Sequence, residues 1–112
     1  YYALALGTVS GTTITGQNGG TAATFYGIVV DGQTGTGSVT ITGSTITGNQ
    51  GTLTGEPNSA AVLVRSVAVV PGPGFSNPAL TIFGNQFTGN TTGILVDDSA
   101  GGDSIVTARY NN

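Results

Sequence analysis

The 112-residue chain has no Cys, no His and no Lys, and its only basic residues are Arg65 and Arg109. Without Cys or His it can form no thiol nucleophile, no Ser–His or Cys–His dyad, no zinc site of the usual ligand types and no disulfide. Without Lys it has no Schiff base, no P-loop and no lysine general base. The formal net charge is −3, and two guanidinium groups cannot neutralise a row of phosphates, which argues against a nucleic-acid partner. No apolar run approaches the ~18–20 residues that cross a bilayer, so no membrane span is expected. Helix-favouring residues are also scarce, with one Glu, no Met and six Leu.

What remains favours strands and bends. There are 20 Gly and 19 Thr, and Val, Ile and Thr together number 37. That composition predicts an all-β chain. Leu, Ile, Val and Phe number 28, enough apolar material for a core. Few charges among much Gly, Thr, Ser and Asn suit an extracellular or cell-surface protein, of bacterial type. The chain opens on Tyr1 rather than Met, which reads as a processed product or an excised segment.

An internal repeat organises the sequence. Residues Thr8 to Gln17 align without gaps on Thr40 to Asn49 and on Thr81 to Asn90. Each copy is followed by a second block, Gly27 to Asp31, then Ala61 to Arg65, then Gly93 to Asp97. The copies are offset by 32 and then 41 residues. Within each copy apolar residues alternate over short runs that Gly interrupts, which is strand patterning broken by tight bends. Three strands per copy follow: 8–10, 12–15 and 25–31, then 38–42, 44–47 and 60–65, then 79–83, 86–88 and 92–97. A lone short strand cannot bury an apolar face, so stacking of equivalent strands must build the core. The alignment predicts four interior columns: Val9, Ile41 and Ile82; Ile14, Ile46 and Phe87; Ile28, Val62 and Ile94; Val30, Val64 and Val96.

These residues resemble the right-handed parallel β-helix repeat family, whose coils read like Thr-Ile-x-Gly-Asn-x-Phe-x-Gly-Asn followed by Thr-Gly-Ile-x-Val. The stretch Thr81 to Val96 is the best match, and the resemblance runs from Thr8 to the C-terminus, interrupted by inserted stretches at 17–24, 49–59 and 66–78. It implies a single-stranded solenoid filling residues 1–112, with a partial coil at 1–7, coils at about 8–37, 38–78 and 79–103, and a partial coil at 104–112. The segment 66–78 would extend a strand before its Pro/Gly exit. Neither end carries an amphipathic cap, so both would expose strand edges. The expected partners are therefore further copies stacked on open coil ends, or neighbouring coils of a longer chain. The family implies little about activity, because lyases, hydrolases, epimerases, adhesins and phage spikes share the fold.

Five features are candidate sites. Gln17, Asn49 and Asn90 each follow a bend Gly and read as a structural amide ladder. Asp31, Arg65 and Asp97 fall in one column, with the two carboxylates roughly 10 Å apart if coils lie ~4.8 Å apart. That separation is close to the spacing of inverting glycosidases. With Arg65 between them, however, both carboxylates should stay ionised, which suits a charge ladder better than a general acid. Asp97, Asp98 and Asp103 in a Gly-containing loop offer hard oxygen ligands that make a weak Ca²⁺ candidate, though the EF-hand spacing is missing. Outward Thr pairs (Thr13 and Thr15 over Thr45 and Thr47, Thr8 and Ser10 beside Thr40 and Thr42) suggest an ice-binding grid, but Gln86 and Phe83 leave it two coils deep. Val29, Leu63 and Leu95 alternate with interior columns and form an outward apolar stripe, covered either by the inserted loops, such as 66–78 with Phe75, or by a partner.

No catalytic residue and no cofactor are assigned from the sequence. The expected function is a non-catalytic structural or adhesive module that stacks into filaments and has a possible carbohydrate contact. A segment of a carbohydrate-active β-helix enzyme (polysaccharide lyase, epimerase or hydrolase) is the alternative, and ice binding the third. The outward aromatics, Phe83 and Tyr110, form no groove that the sequence reveals. Whether Ile105 or Val106 points inward is a one-residue register question that the pattern leaves open.

Overall fold

The structure, a computed structural model, describes residues 6–31, 38–68 and 74–112. Most of the partial coil expected at 1–7 and the middle of the 66–78 insertion fall outside the described residues. Ten strands and no helix are found among the described residues: β1 (Leu6–Ser10), β2 (Thr13–Thr15), β3 (Tyr26–Val30), β4 (Ser38–Thr42), β5 (Thr45–Thr47), β6 (Ala60–Arg65), β7 (Ala79–Phe83), β8 (Gln86–Thr88), β9 (Thr92–Asp97) and β10 (Ile105–Arg109). They form three sheets, ordered β1-β4-β7-β10, β2-β5-β8 and β3-β6-β9. Every pairing between named strands is parallel. Each strand therefore pairs with its equivalents one repeat away in sequence, as stacking of weak short strands requires.

The register is the one the alignment predicts. Val9 pairs with Ile41 and Ile41 with Ile82; Ile14, Ile46 and Phe87 are likewise in line. In the third sheet Ile28, Val62 and Ile94 align, as do Val30, Val64 and Val96. The core formed by these columns also takes in Val39, Ala61 and Leu80, and Val106 packs against it. The open register question is thereby answered: Val106 points inward, and Ile105 is 62% exposed.

The bend between the first and second strand of each repeat recurs at one column. Gly11, Gly43 and Gly84 occupy it with φ of 56°, 58° and 66°, a left-handed conformation that only Gly adopts without cost. In the fourth position of that column stands Tyr110, with φ of 54°, the one non-Gly residue of positive φ among those described. Residues 66–68, which follow β6, do not extend it as a strand. Ala68 instead bridges antiparallel to Phe75, and the Ser76 amide donates to the Val67 carbonyl at 2.8 Å.

Candidate functional site

The bends carry side-chain ladders, and these take in the buried Ser44, Asn49 and Asn85. At the second bend the Asn90 Oδ1 accepts from the Asn49 backbone N–H at 3.0 Å and from Asn49 Nδ2 at 2.8 Å. The Asn90 Nδ2 donates to the Ile46 carbonyl at 2.8 Å. Asn90 thus supplies partners for the backbone of the repeat before it, groups that would otherwise be costly to bury. Gln17, aligned with Asn49, is exposed. Among the described residues its side chain makes no hydrogen bond.

A second ladder lies at the first bend, and the sequence reading passed over it. Asn85 Oδ1 accepts from the Ser44 N–H at 2.9 Å, and Asn85 Nδ2 donates to the Ile41 carbonyl at 3.0 Å. Asn111 repeats the pattern one step on, accepting from the Asn85 N–H at 3.2 Å and donating to the Ile82 carbonyl at 3.1 Å. Ser44 does half of it, with its hydroxyl accepting from the Thr12 N–H at 3.2 Å. The donated bond falls each time on the carbonyl three residues ahead of the residue above. The signal was present in the alignment, since Ser44 and Asn85 follow the first bend Gly as Asn49 and Asn90 follow the second.

The charged column is only partly joined. Arg65 is in register with Asp97, yet among the described residues its guanidinium pairs with Asp31 alone, at 3.8 Å. Asp97 turns back on its own loop, where Oδ1 accepts from the Ser99 N–H at 3.1 Å, the local bond that makes Asp a turn former. Asp98 is more tightly engaged. It accepts from the Ser104 N–H and from the Ser104 hydroxyl at 2.6 Å. Hydrogen bonding, led by the Ser104 hydroxyl and aided by Ser66, holds its carboxyl below the usual carboxylate range. Asp103 contributes its amide, which donates to Asn77 Oδ1 at 2.8 Å. The acidic loop is thus drawn into turn-forming bonds, and no cluster of three metal-ligating side chains occurs among the described residues.

The structure adds detail to two expectations about the outer surface, the cover of the apolar stripe and the depth of the threonine array. The stripe of Val29, Leu63 and Leu95 is not open to a partner along its length. Val29 and Leu63 are buried and Leu95 half-buried, although Val29 and Leu63 lie outside the interior cluster. Segment 51–58 runs along this face: the Tyr26 hydroxyl donates to the Pro57 carbonyl at 2.6 Å, and Gly55 to Asn58 share a groove with Leu95 and Val96. Phe75, expected over the stripe, lies instead beside Gly101 and Gly102. The threonine array is also deeper than expected in one file. Thr8, Thr40, Thr81 and Thr107 are in register across four strands, while the neighbouring file runs Ser10, Thr42, Phe83, Arg109.

Comparison with known proteins adds no family: no family model, no curated protein and no solved structure matches the chain. Function must therefore be argued from the geometry.

Proposed function

We propose that this chain is a right-handed parallel β-solenoid module, structural or adhesive and non-catalytic, working outside the cell or at its surface. It stacks on further coils of its own kind. The handedness follows the general rule for crossovers between parallel strands. The observation that carries the reading is the contrast within one interior column: Val30 and Val64 are fully buried, but Val96 is 44% exposed. Phe87 and Ile94, the last described members of two other columns, are half-buried and line an open groove with Ala108 and Tyr110. An edge of this kind, with apolar columns and unpaired strand backbone, is a template for another strand layer.

The charged groups support a scaffold over an enzyme. Arg65 is engaged by Asp31, Asp97 by its own turn, and Asp98 is held ionised, the wrong state for a general acid. Asp31→Ala, Arg65→Ala and Asp97→Ala should alter stability or solubility and leave no glycan-cleaving activity to lose. A glycan-cleaving rate that collapses in Asp97→Ala would overturn the non-catalytic reading. Light scattering tests the stacking directly. Mass should rise with concentration in the native chain and stay monomeric in Val96→Asp; a native monomer at every concentration would end the proposal.

The four-deep file Thr8, Thr40, Thr81 and Thr107 favours ice binding as a second reading. Phe83 and Arg109 interrupt the file beside it, so little or no thermal hysteresis is expected.

A further inference from the structure

The outer face of the four-stranded sheet changes chemistry along its length. On β1 and β4 the four positions nearest the bend on this face are small and hydroxylated: Thr8, Ser10, Thr40 and Thr42. On β7 and β10, Phe83 and Arg109 take the place of Ser10 and Thr42, in register with each other. Next to Arg109, Tyr110 takes the place of the bend glycines. It is held at a φ of 54° with 89% of its surface in water. A left-handed aromatic residue is strained, and here the strain is not offset by burial.

Thr81, Phe83, Thr107, Arg109 and Tyr110 line an open groove of about 340 Å³, at the lower end of the ~300–1,000 Å³ usual for small-molecule sites. Its electrostatics are distinctive. The chain has five acidic residues and two basic ones. Arg65 pairs with Asp31, whereas Arg109 has no ion pair among the described residues. None of the five carboxylates lines the groove. The nearest in sequence, Asp103, lies two residues before β10 (Ile105–Arg109), and Arg109 is the last residue of that strand, about 13 Å beyond its start. Among the described residues of this acidic protein, the side-chain cation without an ion pair thus lines a groove together with two exposed aromatic residues and two threonines.

We propose that Phe83, Arg109 and Tyr110 form a binding groove for an anionic saccharide, a uronate-containing oligomer. The aromatic rings offer faces to the C–H side of a sugar ring, the guanidinium takes the carboxylate in a bidentate, charge-assisted pair, and the hydroxyls of Thr81 and Thr107 meet the ring hydroxyls. The groove holds its ligand without cleaving it, so the inference rests on the non-catalytic reading above.

The test is a calorimetric titration of the full chain with oligogalacturonate and with its methyl-esterified, uncharged counterpart. The acidic oligomer should bind at least about tenfold more tightly, and Arg109→Gln should abolish that preference. Phe83→Thr and Tyr110→Gly restore residues found at equivalent positions of the same fold, so they should keep the structure while weakening both oligomers about tenfold or more. Equal binding of the two oligomers, no binding of either, or unchanged binding in Arg109→Gln would overturn the groove and leave the scaffold reading intact. Cleavage of the bound oligomer would overturn the scaffold reading and leave the groove. If Tyr110→Gly abolished self-association but not saccharide binding, the patch would be a contact between copies and the proposal would fail.

Discussion

The middle repeat and the last one are written in nearly the same residues, yet they live in different environments. In the middle repeat Ile46, Val62, Leu63 and Val64 are all fully buried. Their counterparts at the end of the stack, Phe87, Ile94, Leu95 and Val96, are half-buried or exposed. Ala108, in the column of Val9, Ile41 and Ile82, is exposed as well. Sequence pattern determines which side chains point inward; a neighbour on both sides determines whether inward means dry. Hydrophobic stabilisation scales with apolar area removed from water, so the same side chain contributes more in the middle of the stack than at its edge.

Truncation of paired positions is the strongest way to break that comparison. Ile46→Ala should cost about 3–4 kcal/mol, as for a fully buried aliphatic side chain, and Ile94→Ala about 1–2 kcal/mol. Denaturant titration of both variants would measure the gap, and equal losses would remove the distinction between middle and edge.

Next in size are the ladders. Asn85 is buried and serves both the Ser44 amide and the Ile41 carbonyl, so Asn85→Ala should cost about 2–3 kcal/mol by leaving both unpaired. Asn90→Ala, at a wetter site, should cost about 1–2 kcal/mol, and Gln17→Ala close to nothing. Hydrogen exchange at Ser44 should speed up in Asn85→Ala and in neither of the others.

The Asp98 turn gives a smaller effect that acid alone reveals. Its folded carboxyl titrates below the ordinary range because Ser104 donates to it. Its stabilising contribution is therefore complete above the unfolded-state value and is lost as pH falls through the folded one. Asp98→Asn should remove that part of the acid dependence, so melting curves of the two proteins should converge as the pH is lowered. Parallel pH profiles would show that the carboxylate contributes nothing to the turn. The least change should come from Tyr110→Gly. It relieves a left-handed aromatic at the expense of a more flexible unfolded chain, for a net gain of under about 1 kcal/mol.

Much of the architecture was legible in the sequence because stacking imposes one rule on every repeat. Gly at the bends and aliphatic residues at alternate positions were enough to align Val9 with Ile41 and Ile82, and that alignment carries the register of all three sheets. The surface was harder to read. Whether Val29 and Leu63 meet solvent depends on where segment 51–58 lies, which no periodicity specifies. Asp97 aligned with Arg65 but bonded to Ser99, because a two-residue Asx turn competes with a cross-strand pair. The Ser44–Asn85–Asn111 ladder was hidden in plain alignment, its first described member being a serine rather than an amide. The Phe83–Arg109–Tyr110 groove needed the register of β10 on β7, which the one-residue ambiguity at Ile105 and Val106 obscured.

The central claim is that the last repeat presents an unfinished edge of the core that further coils of the same kind complete. Residue-resolved hydrogen exchange at low and at high protein concentration tests it most directly. The account predicts that amides of β4 to β6 stay equally protected at both concentrations, while those of β8, β9 and β10 gain protection as the protein associates. Protection of β8 to β10 that is the same at every concentration would contradict it.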